Sequence, residues 1–594
     1  MGNTSSIHLS SSSTKERSLS RKRSEIFPRI SLGCASVHSS DSDHSQETTK
    51  LVSNEKYIVV DQLIPPSPAS SVAYFPLQPN LDDTARAYAS FLNEHPGESL
   101  VHPMPMTSAH RGWADYQLTW ILDTLRRTDY SRLERAGETY VDYMGGAIYP
   151  ESLIKVHTDF LNRSILGNTH SVSNSSRLSL KYADEARLAV LAHFKASSSE
   201  YTVVFTANAS AALKLVAEAY PFSGGSSLVI GADSHNSVHG IREFATSKSA
   251  EVHYVPSTPR GGFDVPMAKN LLLRHRPRSR ELAPSLFVLT GQSNITNSKP
   301  PLSMTEYAAS LGYHVVVDGA ALAPTSIISI SEYPIDAMAI SFYKMFGYPT
   351  GVGALVIKKS FLAQLKRPWF AGGTVDIVQV PGNIVTRTHE LHEQFEDGTI
   401  NYLQLPAITN GLRFLSAYLP FLPLRLSSLL LYLTSSLSKL RHDSSGRPVV
   451  QILSRTPTRK LHSVGEQSDA GSILSLLFLD PWGVMIPNSF IEYAATTQNI
   501  SLRTGCMCNP GGAAAILGIV EEMRHLYPGV TLSDFEERVG RELGVVRISL
   551  GLASNFQDVW NVIQFAISIG QEAKRQALWN QWMESQRGEI GKAI

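Results

Sequence analysis

Cysteine is nearly absent from this 594-residue chain: Cys34, Cys506 and Cys508 are the whole complement. That excludes a disulfide framework as the basis of the fold and fits a reducing compartment. An excess of one charge is also missing. Lys and Arg total 53 against 52 Asp and Glu, a formal net charge of +1, so no global field draws the chain to nucleic acid or a membrane surface. No run reaches the roughly 18 uninterrupted apolar residues of a membrane span. The nearest, FLPLRLSSLLLYLTSSL from Phe421, contains Arg425 and several serines and reads as a core-facing helix. The histidines show no metal-ligand spacing, so no metal site is expected. At 43% hydrophobic residues the chain can bury a sizeable core. A soluble cytoplasmic protein is the expectation.

Composition divides the chain. Residues 1–55 form a Ser/Arg/Lys-rich stretch too polar to make a core, expected to be a disordered tail. Its start, MGNTSS, matches the N-myristoylation pattern at Gly2, with the basic cluster Arg21-Lys22-Arg23 as a second membrane signal. Weak membrane association is expected only if Gly2 is lipidated. A transit peptide is a third reading of the same stretch. Residues 56–117 read as a partly ordered extension, 118–410 as a large α/β domain, 411–575 as a smaller α+β domain and 576–594 as a C-terminal tail. Ser444 to Ser472 reads as a polar loop within the smaller domain.

In the large domain, short β-rich runs recur: YTVVFT, SLVIGAD, EVHYVP, SLFVLT, HVVVDGA, AMAISFY and GALVI. Helical stretches such as ASAALKLVAEAY lie between several of them. Strands alternating with helices predict an α/β fold, its mostly parallel central sheet covered on both faces.

Three segments carry chemistry. In VVFTANASAALKLVAE, small residues follow a strand and open a helix, where free N–H groups and the dipole favour an anion. Thr206 and Ser210 add hydroxyls; ordinary helix capping is the alternative. Asp318 ends the strand HVVVDGA, and the carboxyl ends of parallel strands are where ligands bind. Lys344, in AISFYKMFGYPTGVG, is flanked by Phe342, Tyr343, Met345 and Phe346. Poor solvation there would lower its pKa and suit it to Schiff-base chemistry, whereas a snorkelling lysine is the plain alternative. The GYPTGVG turn lacks dinucleotide-fingerprint spacing. A strand-end acid, a desolvated lysine and an anion cradle together point to pyridoxal 5′-phosphate (PLP), which needs each of them.

At these residues the chain resembles the class V aminotransferase-fold enzymes, a PLP fold type I family that includes cysteine desulfurases. More closely it resembles the N-terminal, desulfurase-like domain of molybdenum cofactor sulfurases. The matching segments include YVDYMGGAIYPESL, GNTHSVSNSS, FTANASAALKLVAE, DSHNSVHGIRE, GQSNITNSKPPL, SFYKMFGYPTGVGAL, FEDGTINYLQL, LRTGCMCNPGG and VRISLGLASNFQDV.

The resemblance implies that Lys344 carries the cofactor aldehyde and moves the substrate Cα proton. It implies that Asp318 pairs with the pyridinium nitrogen, His235 stacks on the ring and Asn294 bonds the phenolic oxygen. Ala209, Ser210 and Ser341 would hold the phosphate, with Thr399 supplied by a second subunit of a homodimer. Arg503 would grip the substrate carboxylate and Cys508 would carry the persulfide. His392 and His170 are further candidates for the pocket wall. The pattern departs from many desulfurases in having Ala321 where they have glutamine and Tyr343 where they have histidine. The chain also stops soon after SNFQDV, so the acceptor-binding domain of full-length sulfurases is expected to be absent.

The function expected is removal of sulfur from L-cysteine, leaving alanine and a persulfide on Cys508 for an acceptor, of which the molybdenum cofactor is one candidate. Another PLP reaction on an amino acid (C–S lysis, decarboxylation or epimerisation) is the alternative, and a non-catalytic partner of a sulfur carrier is a third reading. Cys506 and Cys508 are too close for an unstrained disulfide and make a poor zinc site. Cys506 is expected to pack as a small apolar residue, and Cys508 to ride a mobile Pro/Gly-rich loop beside Arg503, whose charge favours a thiolate.

Overall fold

The computed structural model describes residues 83–93, 113–279 and 282–593, with side chains to residue 587. The expectations for Gly2, the Arg21-Lys22-Arg23 cluster, Cys34 and the polar tail all lie outside the described residues. The described residues belong to one compact unit, residues 58–594.

Seven of the β-rich runs form one sheet. The strands are β1 (Tyr201–Thr206), β2 (Ser227–Gly231), β3 (Glu251–Val255), β4 (Leu286–Thr290), β5 (His314–Asp318), β6 (Ala337–Ser341) and β7 (Gly353–Lys358). Their order is β1-β7-β6-β5-β4-β2-β3. Every pairing is parallel except the two that β7 makes, so the sheet is mostly parallel as predicted. The period-2 side-chain rule divides these strands between two cores. Val203, Val229, Val315, Val317, Met338 and Val356 face one hydrophobic cluster, while Val204, Ile230, Val316, Ala339 and Leu355 face the other. Both faces are therefore covered, which is why the strands read as continuous apolar runs.

A second, antiparallel sheet comprises β8 (Val450–Ile452), β9 (Ile473–Phe478), β10 (Arg503–Gly505) and β11 (Val545–Ser549), in the order β8-β9-β11-β10. Strand β8 lies inside the stretch read as a polar loop; Val450 and Ile452 flank Gln451 and pair with Phe478 and Leu476. The N-terminal segment also joins this region, Thr139–Tyr140 pairing in parallel with Ile500–Ser501.

The apolar stretch Leu405–Lys439 is long and apolar enough to cross a membrane by length and composition, yet 72% of its most apolar window is buried in the protein. Its second helix, Leu422–Lys439, is the expected core-facing one. The buried Arg425 donates to Asp123 and to the Ser554 carbonyl (2.9 Å). The expected C-terminal tail is instead a helix, Glu572–Ala593. Trp579 and Trp582 seat it against Phe490, with ring centroids 4.9 and 5.6 Å away.

Candidate active site

Because β2, β4, β5 and β6 run the same way as β1, their carboxyl ends gather at one edge of the sheet. The residues just past those ends enclose a cavity of about 130 Å³. Asn208 to Ser210 reach it from β1, His235 and Ser237 from β2, Thr290, Gln292 and Asn294 from β4, Asp318, Ala320 and Ala321 from β5, and Ser341, Tyr343 and Lys344 from β6. Seven of the predicted residues, Lys344, Asp318, His235, Asn294, Ala209, Ser210 and Ser341, line it together, and the Cys508 loop bonds to Asn294 and to Asn236, the residue after His235.

Lys344 lies on the single helical turn Phe342–Phe346, whose Phe342, Met345 and Phe346 are buried. The turn ends at Gly347, at φ +81°, where a Cβ would collide with the Tyr149 backbone at 2.4 Å. Burial lowers the Lys344 amine below its ordinary pKa; Asp318 opposes this, and Arg547 and Arg503 add to it. Asp318 is 7% exposed, and its carboxylate accepts from the Ala320 N–H at 3.1 Å. The Nδ1 of His235 accepts from the Ser237 N–H at 3.1 Å, which requires that nitrogen to be unprotonated. Burial lowers the His235 pKa in the same direction, with Asp318 opposing. The ring is thus neutral and free to lie flat against a ligand.

The anion cradle is built from hydroxyls as well as a helix end. Asn208 caps the helix Ala209–Ala219 by accepting from Ala211 N–H at 3.0 Å. Ser341 Oγ accepts from Ala209 N–H at 2.8 Å, and the Ser210 and Ser237 hydroxyls lie 2.5 Å apart. Thr206 does not join them, because its hydroxyl donates to the Asn208 carbonyl at 2.9 Å. The turn approaches β7 so closely that a Cβ on Gly353 would lie 2.5 Å from Asn208 Cα. The FEDGT glutamate, Glu396, anchors the same strand from behind: it pairs with Arg187 at 2.7 Å and accepts from Phe205 N–H at 2.8 Å.

The Pro/Gly-rich segment after Cys508 is helical where a loop was expected. Pro510-Gly511-Gly512 is the first turn of a helix, Pro510–Leu517, and Asn509 caps it by accepting from Gly512 N–H at 2.9 Å. The fully buried Asn509 also donates to Asp233 at 2.8 Å and to Asn294 at 3.1 Å. Asp233 further accepts from the Ser293 hydroxyl (2.6 Å), the Thr296 hydroxyl (2.5 Å) and Gly262 N–H (2.7 Å). Met507 and Cys508 both adopt left-handed backbone, at φ 55° and 54°, a conformation costly for residues with side chains. Two bonds hold it: Asn294 Nδ2 to the Met507 carbonyl (2.6 Å) and Asn236 N–H to the Cys508 carbonyl (2.7 Å). Cys508 is exposed and Cys506 half-buried between two apolar clusters. Burial raises the Cys506 thiol pKa, as a packing role requires.

Arg503 and Arg547 face each other across β10 and β11, so their side chains share one face of the sheet. Arg547 is 1% exposed and neutralised by Asp142 at 2.5 Å. The exposed Arg503 side chain has no hydrogen-bond or ion-pair partner among the described residues, leaving one guanidinium free for an anion.

Some candidates lie elsewhere. Thr399 does not line this cavity within the chain; it is exposed beside Asn168, whose Nδ2 is 3.4 Å from its hydroxyl. His170 and His392 line a different cavity, of about 270 Å³, with Asp184, Arg187 and Glu396. Glu251, His253 and His275 come together although their spacing gave no metal signal. The two imidazoles stack with centroids 3.4 Å apart, and the ligand atoms of all three side chains lie within 4.8 Å of one another. Sequence reasoning missed Gln292, Asn509, Asp233 and the Asp142–Arg547 pair. Of these only Gln292 carried a local signal, its position between a strand end and Asn294.

Comparison with known proteins bears on the domain that holds this cavity. Residues 139–425 match the family model "Aminotransferase class-V". The chain carries a class V aminotransferase domain. It is 33% identical over 468 residues to a molybdenum cofactor sulfurase of Bos taurus and 34% identical over 454 residues to one of Danio rerio. These matches cover 75% and 73% of this chain but 52% and 53% of the relatives, so the chain spans about half the length of the curated relatives it matches. Among solved structures, a cysteine desulfurase from Thermococcus onnurineus NA1 aligns with a TM-score of 0.59 at 20% identity, covering 75% of this chain and 97% of its own. One from Escherichia coli aligns at 0.56 and 21%, covering 76% and 98%. These two establish the shared fold.

Proposed function

We propose that the protein is a PLP-dependent sulfur transferase that removes sulfur from L-cysteine and carries it as a persulfide on Cys508. The observation that carries this reading is the convergence of Lys344 and Asp318 on a cavity whose neighbouring wall, at Asn236, binds the backbone of Cys508. The residues fit the cofactor. Lys344 would hold its aldehyde, Asp318 its ring nitrogen, His235 its ring face, and Ala209, Ser210, Ser237 and Ser341 its phosphate. A buried polar group in the cavity wall supports the fit, since Gln292 is 1% exposed and its carboxamide has no partner. Bound PLP supplies an electron sink that acidifies the substrate Cα–H.

The chain's own residues do the rest. Arg503 holds the substrate carboxylate, its planar fork matching the two oxygens. The Lys344 amine, its pKa lowered by burial, takes the Cα proton. The Cys508 thiolate attacks the substrate sulfur; the C–S bond breaks, an S–S bond forms on Cys508 and the electron pair passes to the substrate carbon, which is protonated. Cysteine plus a thiol thus becomes alanine plus a persulfide, with no external oxidant. A homodimer supplying Thr399 to the partner's phosphate and the molybdenum cofactor as sulfur acceptor belong to this proposal. The similarity to the sulfurases supports both.

The test is Cys508→Ser. It should bind PLP as the parent does, with the visible absorbance unchanged, yet give no protein-bound sulfane sulfur from L-cysteine. Persulfide formation by the variant, or pyruvate and ammonia in place of alanine from the parent, overturns the reading.

A further inference from the structure

Gln292 stands apart from every other polar group in the cavity. It is two residues past the end of β4, is 1% exposed, and neither Nε2 nor Oε1 has a hydrogen-bond partner. Burying a carboxamide with both ends unsatisfied costs a few kcal/mol, and a fold keeps such a group where a ligand completes it. The surroundings are shaped around it. A Cβ on Gly471, which leads into β9, would lie 2.4 Å from Gln292 Nε2, so the glycine there leaves room for the carboxamide in this orientation. Ala321 shares the cavity wall and leaves it without the carboxamide that many desulfurases carry at that place.

Asn294, to which the resemblance gives the phenolic oxygen, is already engaged. Its Nδ2 holds Met507 and its Oδ1 accepts from Asn509, so its orientation is set by the Cys508 loop. Gln292 has the opposite character, with two N–H donors and an acceptor all uncommitted in the same wall as Asp318 and Lys344.

We propose that Gln292 is a cofactor-positioning residue whose Nε2–H donates to the phenolic oxygen of the pyridoxal ring, while Asn294 serves the Cys508 loop. This rests on the PLP reading above. A donor on that oxygen stabilises its anionic form and weakens its hold on the neighbouring imine proton. Removing the donor strengthens that hold.

The test compares the full-length parent chain with Gln292→Leu, which keeps the volume and removes both polar ends. Each is measured with PLP and after PLP has been stripped. The variant should bind PLP about tenfold more weakly or worse, as loss of a hydrogen bond to a charged oxygen predicts. The pH at which its visible band titrates should rise. Stripped of PLP, it should melt no lower than the parent, because no protein partner is lost. Gln292→Glu should bind PLP more weakly still, since it sets a carboxylate against the ring oxygen. Parent-like PLP affinity and titration in both variants would overturn the inference, as would a lower melting temperature of stripped Gln292→Leu with unchanged PLP affinity, which marks a structural role. Failure of the parent itself to bind PLP would instead overturn the underlying functional reading.

Discussion

Asn509 offers the sharpest perturbation, because two substitutions remove different halves of what it does. Its Oδ1 caps a helix at Gly512 and its Nδ2 donates to the Asp233 carboxylate 2.8 Å away. Asn509→Asp keeps the cap, since aspartate is as good an N-cap as asparagine, but sets an oxygen where a donor stood. The lost hydrogen bond to a charged acceptor is worth about 1.5–3 kcal/mol. Two carboxylates this close cannot both ionise freely, so one of the pair takes a pKa raised above its unfolded value of about 4. The folded variant then binds more protons than the unfolded chain, and its stability falls as pH rises through about 4, levelling off above the raised pKa. Asn509→Ala loses the same bond and also the cap, about 1 kcal/mol more, but adds no carboxyl and no new pH dependence. Urea unfolding at pH 5 and pH 8 separates the two. The Asp variant should have a deficit that widens with pH, and the Ala variant a deficit of about 3 kcal/mol that does not. Because Asn509 follows Cys508 directly, both should lose persulfide formation more than PLP absorbance. Parent-like stability of Asn509→Asp at pH 8 would refute the claim that this buried network pins the loop.

Three other perturbations read separate parts of the site. Lys344→Met in PLP-free protein should raise the melting temperature at pH 7; the gain should shrink as pH rises towards about 10, because a lysine whose folded pKa is depressed costs stability below its unfolded value and less as both states lose the proton. Thermal scans across that range check it, and a gain that grows with pH contradicts it. Gly353→Ala should abolish PLP binding or soluble expression, since its Cβ would meet the Asn208 backbone at 2.5 Å; PLP titration of whatever soluble fraction forms decides the point. Asp142→Ala leaves the buried Arg547 guanidinium unpaired and should cost about 3 kcal/mol in denaturant unfolding, at the low end for a buried pair, because the Asp142 side chain is 20% exposed.

What the sequence disclosed followed the range of the physics involved. Lys344, Asp318 and the helix opening at Ala209 are each defined by a strand and the few residues after it, so local pattern sufficed. The parallel sheet was legible for the same reason: residues such as Val315 to Val317 need cover on both faces. The C-terminal helix was not legible, because Trp579 and Trp582 stand among polar residues and only their contact with Phe490 gives them a place to be buried. The Cys508 loop was misread because Pro510-Gly511-Gly512 looks like a flexible turn in isolation. What ties its helical start to the large domain is a bond from Asn509 to Asp233, 276 residues away in sequence. Arg547 and Asp142, 405 residues apart, form their pair by the same long-range route. These distant contacts also decide the chemistry. In the proposed reaction Cys508 must meet the substrate in one register, and Asn236, the residue after His235, binds the Cys508 carbonyl. The histidine assigned to the ring face and the cysteine assigned to the sulfur are therefore held by adjacent residues, so a shift in either element moves both.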